Sequence, residues 1–339
     1  MDFTLKIFQN LLQTFIKNQF QFTTFHNYIR KLSNTKTANS TPQHLNTSTS
    51  ISKPLNTSTS KLLNFSPSKL IILRHDVDRI PENALQTAII EHELGIQGTY
   101  YFRVVPESYD LQIMDKIAEL GHEIGYHYED VDLAIKNYEL RITNYELQKD
   151  ELIDAAYESF CENLEMFRKN FDIKTICMHG SPRSKYDNKL IWSKYDYREL
   201  GIIGEPYFDI DFTEFAYYTD TGRRWDGNSV SVRDKVDSRQ YAVGSRQNLV
   251  NSKEYGVGSK EGDKVTRNEL RVTSGKWPRF RKTIEIIKAV EEEKFPQKAM
   301  ITVHPQRWTD DPVLWVKELV WQNVKNIVKW GIVKVGSME

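Results

Sequence analysis

The chain has 339 residues with 46 basic and 46 acidic side chains, so its formal net charge is zero. That balance gives no electrostatic reason to expect nucleic acid or an anionic membrane as the main partner. Two cysteines, Cys161 and Cys177, are too few for a disulfide scaffold, and neither stands in a metal-type spacing.

In chain order, residues 1–32 open with M-D-F-T-L-K-I-F-Q-N-L-L-Q-T-F-I-K, apolar at helical spacing. The stretch lacks the continuous apolar block and small-residue cleavage site of a secretory signal. It reads as a helical lead-in, and with no run long enough to span a bilayer the expected location is cytoplasmic. Residues 33–68 are rich in Ser, Thr, Asn and Lys, with L-N-T-S-T-S at Leu45 repeated at Leu55. Such composition buries too little apolar surface to offset its ordering entropy, so this segment is expected to be a disordered or loop insertion.

A core then begins as alternating elements over residues 69–227. Strands are predicted at 70–73, 99–102, 123–126 and 175–178, and helices at 83–94, 111–120 and 150–169. Gly95 and Gly121 supply C-caps for the first two helices. N-Y-E-L occurs at Asn137 and again at Asn144. Residues 228–275 hold Y-A-V-G-S-R-Q and Y-G-V-G-S-K-E and read as a second polar insertion. Residues 276–339 resume the core with a strand at 300–303 and a helix at 312–330. Repeated strand–helix alternation predicts a parallel sheet covered by helices, open or closed into a barrel.

The chemistry-bearing residues collect at the ends of these strands. The first runs into His75, Asp76 and Asp78, the third into His127, Glu129 and Asp130, the fourth into His179, and the last into His304. In α/β barrels and doubly wound sheets, catalytic groups gather at the carboxyl ends of strands. Each residue also has a plainer reading. Asp76 and Asp78 alternate about Val77 and share a face, which also suits a solvated turn. His127 also suits a satisfied core histidine. His122 starts a strand and reads as structural, and the Asp209/Asp211 pair reads as solvent-facing. Four strand ends at once favour a site.

R-H-D-V-D, followed by G-H-E-I-G-Y-H and later by I-T-V-H-P-Q, resembles the polysaccharide deacetylase family. The resemblance implies a distorted (β/α)7-type barrel that removes acetyl groups from N-acetylated sugars with a divalent metal, usually zinc. It makes Asp76 the general base, Asp78 a metal ligand, and His304 the general acid. His127 matches the first histidine of the family's two-histidine motif. The second falls at Val131, which cannot bind metal, so Asp130, which one helical turn would bring to the same side as His127, is expected as third ligand, with Glu129 or His179 as alternatives. The arginine that orients the base in the family has no counterpart in H-G-S-P, and Arg183 follows it. Tyr128, Trp225 and Trp308, with His179, are expected to face the sugar, core packing being the other reading of the aromatics. The expected substrate is an N-acetylated sugar or small amide. Two other readings are a barrel that only binds a glycan or partner, and a glycosidase working with two carboxylates.

Overall fold

A computed structural model describes residues 1–39, 68–141, 149–180, 184, 186–225 and 277–335. The chain runs α1 (Leu5–Lys17), β1 (Gln21–Thr23), α2 (Phe25–Asn39), β2 (Leu70–Val77), α3 (Pro81–Glu93), β3 (Thr99–Phe102), α4 (Leu111–Glu119), β4 (Glu123–Tyr128), α5 (Asp130–Arg141), α6 (Lys149–Arg168), β5 (Ile176–Met178), α7 (Pro206–Asp209), β6 (Ala216–Thr219), α8 (Thr283–Glu291), β7 (Lys298–Val303) and α9 (Pro312–Val335). The insertion expected at 33–68 begins inside α2, and its remainder at 40–67 lies outside the described residues, as do 228–275 and Arg183. Among the described residues, no helix is long and apolar enough to cross a membrane.

All the strand pairings are parallel. The order is β5-β4-β3-β2-β7-β6, and the sheet curls into a half-barrel compatible with the expected α/β barrel. Strands β1 and β3 share one edge of β2, β1 against residues 70–72 and β3 against 74–77. Beyond β5 the chain adds one more pairing, where Ile203 N–H donates to Lys174 O and Ile176 N–H to Gly204 O.

The near-continuous apolar run of β2 is the signature of a strand buried on both faces, and all eight of its residues are buried. Period-two alternation then sorts the side chains. Ile71, Leu73, Ile301 and Val303 pack with α1 and α8 residues such as Phe8, Leu12 and Ile287 on the helix-covered face. Leu70, Ile72 and Met300 point the other way, into a cluster with Phe25 and Ile29 of α2. The lead-in is therefore part of the fold. The first N–H groups of a helix lack intrahelical partners; here Phe25 N–H donates to Thr99 Oγ1 and His26 N–H to Glu123 Oε2. These bonds seat α2 at the N-terminal end of the inner face and leave its carboxyl end to the polar residues.

Candidate metal centre

Alternation decides which part of R-H-D-V-D reaches the inner face. Arg74, Asp76 and Asp78 share it, whereas His75 turns to the helix layer. There His75 Nε2 lies 2.7 Å from Glu91 Oε1 and its ring stacks on Tyr100 at 4.0 Å. His75 is thus a buried core group. His122 is also structural, accepting from Gly98 N–H at Nδ1 and donating from Nε2 to Ala88 O.

Arg74 grips Asp76 through two bonds, Nε to Oδ1 at 2.7 Å and Nη2 to Oδ2 at 2.6 Å. Burial favours the neutral acid of Asp76, but Arg74, His127 and His304 outweigh it and hold the carboxyl below its usual range. Two residues on, the N–H of Asp78 donates back to Asp76 O, turning the chain off the strand. Asp78 Oδ2 accepts from Gln306 Nε2 at 2.9 Å, while Oδ1 is buried without a hydrogen-bond partner. Burial again opposes ionisation of Asp78, and His304, His179 and His127 overcome it.

His127 comes from β4, paired with Cys177 of β5. Its Nδ1 lies 2.9 Å from Cys177 O; a carbonyl can only accept, so Nδ1 carries the proton and Nε2 a lone pair. Burial holds the His127 pKa down to about 4, which keeps the ring neutral. His179, one residue beyond β5, presents Nε2 at 3.6 Å from Asp78 Oδ1, and His127 Nε2 is 3.7 Å from the same oxygen.

Three groups among the described residues bring metal-capable atoms within 4.8 Å of one another: Asp76–His127–Cys177, Glu129–Asp132–His179 and Asp78–His127–His179. In the first, both Asp76 oxygens are engaged by a guanidinium that repels a cation. In the second, Arg103 does the same to both Glu129 oxygens, at 2.9 and 2.7 Å. The third has an unpartnered carboxylate oxygen and a neutral ring nitrogen with its lone pair inward. Zinc bonds of about 2.05 Å in a tetrahedron put neighbouring ligand atoms about 3.4 Å apart, close to the observed 3.6 and 3.7 Å. The donor set fits a divalent ion.

Opposite Asp76 stands His304, past the end of β7. Its Nδ1 is 2.5 Å from Asp220 Oδ1, and its N–H donates to Asp220 Oδ2 at 3.0 Å. Arg307 and Trp308 Nε1 also donate to Asp220. Burial opposes its charge, but Arg307 and then His304 bring the Asp220 pKa down to about 2. The ring of His304 is thereby held by an ionised carboxylate.

Several expected site residues lie elsewhere. Asp130 belongs to none of the three converging groups. Its carboxylate accepts from Tyr126, Ser159 and Asn163 at 2.7–2.8 Å, and burial raises its pKa to about 6. The expected helical turn from His127 to Asp130 does not exist, because β4 continues to Tyr128. Val131 is buried, its N–H donating to Asn188 Oδ1. Tyr128 faces the helix layer and accepts from Trp192 Nε1 at 2.9 Å. Trp225 and Trp308 pack with Phe3, their ring centroids 6.4 and 4.9 Å from it, and Trp225 bonds Thr283. All three aromatics are core residues, not a sugar-facing surface.

No family model matches the chain, and no curated protein or solved structure matches it.

Arg74, Arg103 and Asp220 were not singled out from the sequence, though Arg103 and Asp220 obey the strand-end rule that found the others. Arg74 is two residues before Asp76 on the same face, Arg103 follows β3, and Asp220 follows β6.

Proposed function

We propose that this chain is a metal-dependent amide hydrolase on a deacetylase-type (β/α) barrel, releasing acetate from an N-acetylated sugar or related small amide. The observation that carries this reading is the convergence of Asp78, His127 and His179, with Asp76 on one flank and His304 on the other.

The three donors would hold the ion, and two imidazoles with one carboxylate and an open position are a common set for catalytic zinc. The metal's contribution when bound is Lewis acidity, which acidifies water and polarises an amide carbonyl. Asp76, with Oδ2 3.8 Å from His127 Nε2, borders the ligand cluster. Arg74 keeps it anionic and fixes its direction, so it accepts the proton of the attacking water. As oxygen bonds to the carbonyl carbon, the C–N bond breaks. An amine leaves poorly without a proton, and His304 Nε2 supplies it. Asp220 holds Nδ1 of that ring and fixes its orientation.

The test is elemental analysis of purified protein, followed by an acetate-release screen on N-acetylated hexosamines. About one divalent ion per chain and chelator-sensitive release are expected. Asp76→Asn should keep the ion while losing about 10²-fold or more in turnover. A chain with neither metal nor acetate release is the glycan-binding barrel instead, and activity indifferent to chelator points to glycoside cleavage.

A further inference from the structure

The third donor comes from a different strand than the family motif implies, and its ring needs something to aim it. His179 Nδ1 lies 3.0 Å from Glu129 Oε2, an approach oblique to the ring N–H direction. Glu129 follows His127 by two residues, so it leaves β4 on the same face. Arg103 clasps Glu129 through Nε and Nη2, and its Nη1 donates to the backbone carbonyl of Asp78 at 3.1 Å. Arg103 N–H in turn donates to Ser108 Oγ, which donates to Val77 O. One guanidinium therefore ties together the chain segments that carry Asp78, His127 and His179.

We propose that Glu129 and Arg103 form a positioning clamp that sets metal affinity by orienting His179 as the third ligand. The inference rests on the metal-site reading above. A histidine ligand is oriented when a carboxylate takes its second ring N–H, which fixes the tautomer and makes the ligating nitrogen a better donor. Glu129 stands where that carboxylate belongs. Arg103 offsets its charge, which would otherwise add to Asp76 and Asp78 beside it, and prevents Glu129 from swinging in as a competing ligand. On the far side, Asn188 Nδ2 donates to His179 O at 2.8 Å, so backbone and ring are both held.

The experiment is zinc titration of metal-free protein, comparing wild type, Glu129→Gln, Arg103→Lys, His179→Ala and the Glu129→Gln/His179→Ala double variant. Unfolding of each apo-protein checks the fold, and cobalt substitution reports coordination. Glu129→Gln should weaken zinc binding by about 10- to 100-fold with the apo-protein still folded. Arg103→Lys keeps the charge but loses the fork, and should weaken binding by a smaller factor. The decisive arm is the double variant: if Glu129 acts through His179, adding Glu129→Gln to His179→Ala costs nothing further. Zinc affinity in Glu129→Gln within twofold of wild type overturns the clamp, as does an undiminished effect in the His179→Ala background. Wild type that takes up no zinc overturns the metal-site reading itself, a result distinct from either.

Discussion

Replacing Arg74 with Leu should expose how much the inner face depends on one ion pair. Arg74 is 1% exposed and Asp76 is 4% exposed, and their two bonds measure 2.7 and 2.6 Å. Breaking a buried pair by removing one partner costs about 3–5 kcal/mol, because an uncompensated charge remains. Asp76→Asn strands the guanidinium, although its stacking near Tyr207, 5.2 Å from the ring centroid, survives. The double variant Arg74→Leu/Asp76→Asn removes both charges and should recover about 2–3 kcal/mol relative to the sum of the singles. Urea unfolding followed by tryptophan fluorescence, in chelator, gives each free energy. The pH dependence has a definite sign. The folded pKa of Asp76 lies below its unfolded value, so its contribution is present above about pH 3.9 and lost as pH falls through the folded value. Wild type and Arg74→Leu should therefore converge in acid. Single variants that each cost under about 1 kcal/mol and add without coupling would refute the buried-pair argument.

Asp130→Asn should leave zinc content at the wild-type level, unlike His179→Ala. Its folded pKa of about 6 exceeds the ordinary 3.8, so its contribution is present below about pH 4 and lost as pH rises through 6, on the order of 3 kcal/mol in all. The variant should lack that decline in unfolding free energy between pH 4 and 7; an identical slope in both proteins contradicts the assignment. Gly125→Ala should lower stability by about 1–3 kcal/mol in thermal unfolding, since an added Cβ overlaps the Tyr101 ring and lies 3.1 Å from Thr175 O. An unchanged melting temperature would show that Tyr101 yields freely.

The elements legible in the sequence were those whose periodicity is undiluted. Residues 99–102 form a strand as expected, and the strands begun at 70 and 123 run longer than expected because polar residues continue them into the site. Strands β1 and β6 were missed: Q-F-T and A-Y-Y-T are too short for alternation to register, and their pairing with β2 and β7 is non-local. Helix α8 escaped because it lies just past a long polar stretch. The polar ends of β2, β4, β5 and β7 were readable, since charge at the lip of an apolar run has few structural reasons to be there.

The misplaced residues share one cause. Asp130 was matched to His127 by helical spacing, but a strand alternates with period two, so residues three apart face opposite sides. His127 still lies in β4, and Asp130 opens α5. The same rule turns Tyr128 to the helix layer and carries Glu129 to the inner face. His179, expected as an alternative third ligand, has its place fixed by the pairing of Cys177 with His127. No local pattern encodes that register. Trp225 and Trp308 depended on tertiary packing in the same way: each is buried against Phe3 at the other end of the chain. Local pattern thus located the lip of the sheet, and strand register chose which residues meet across it.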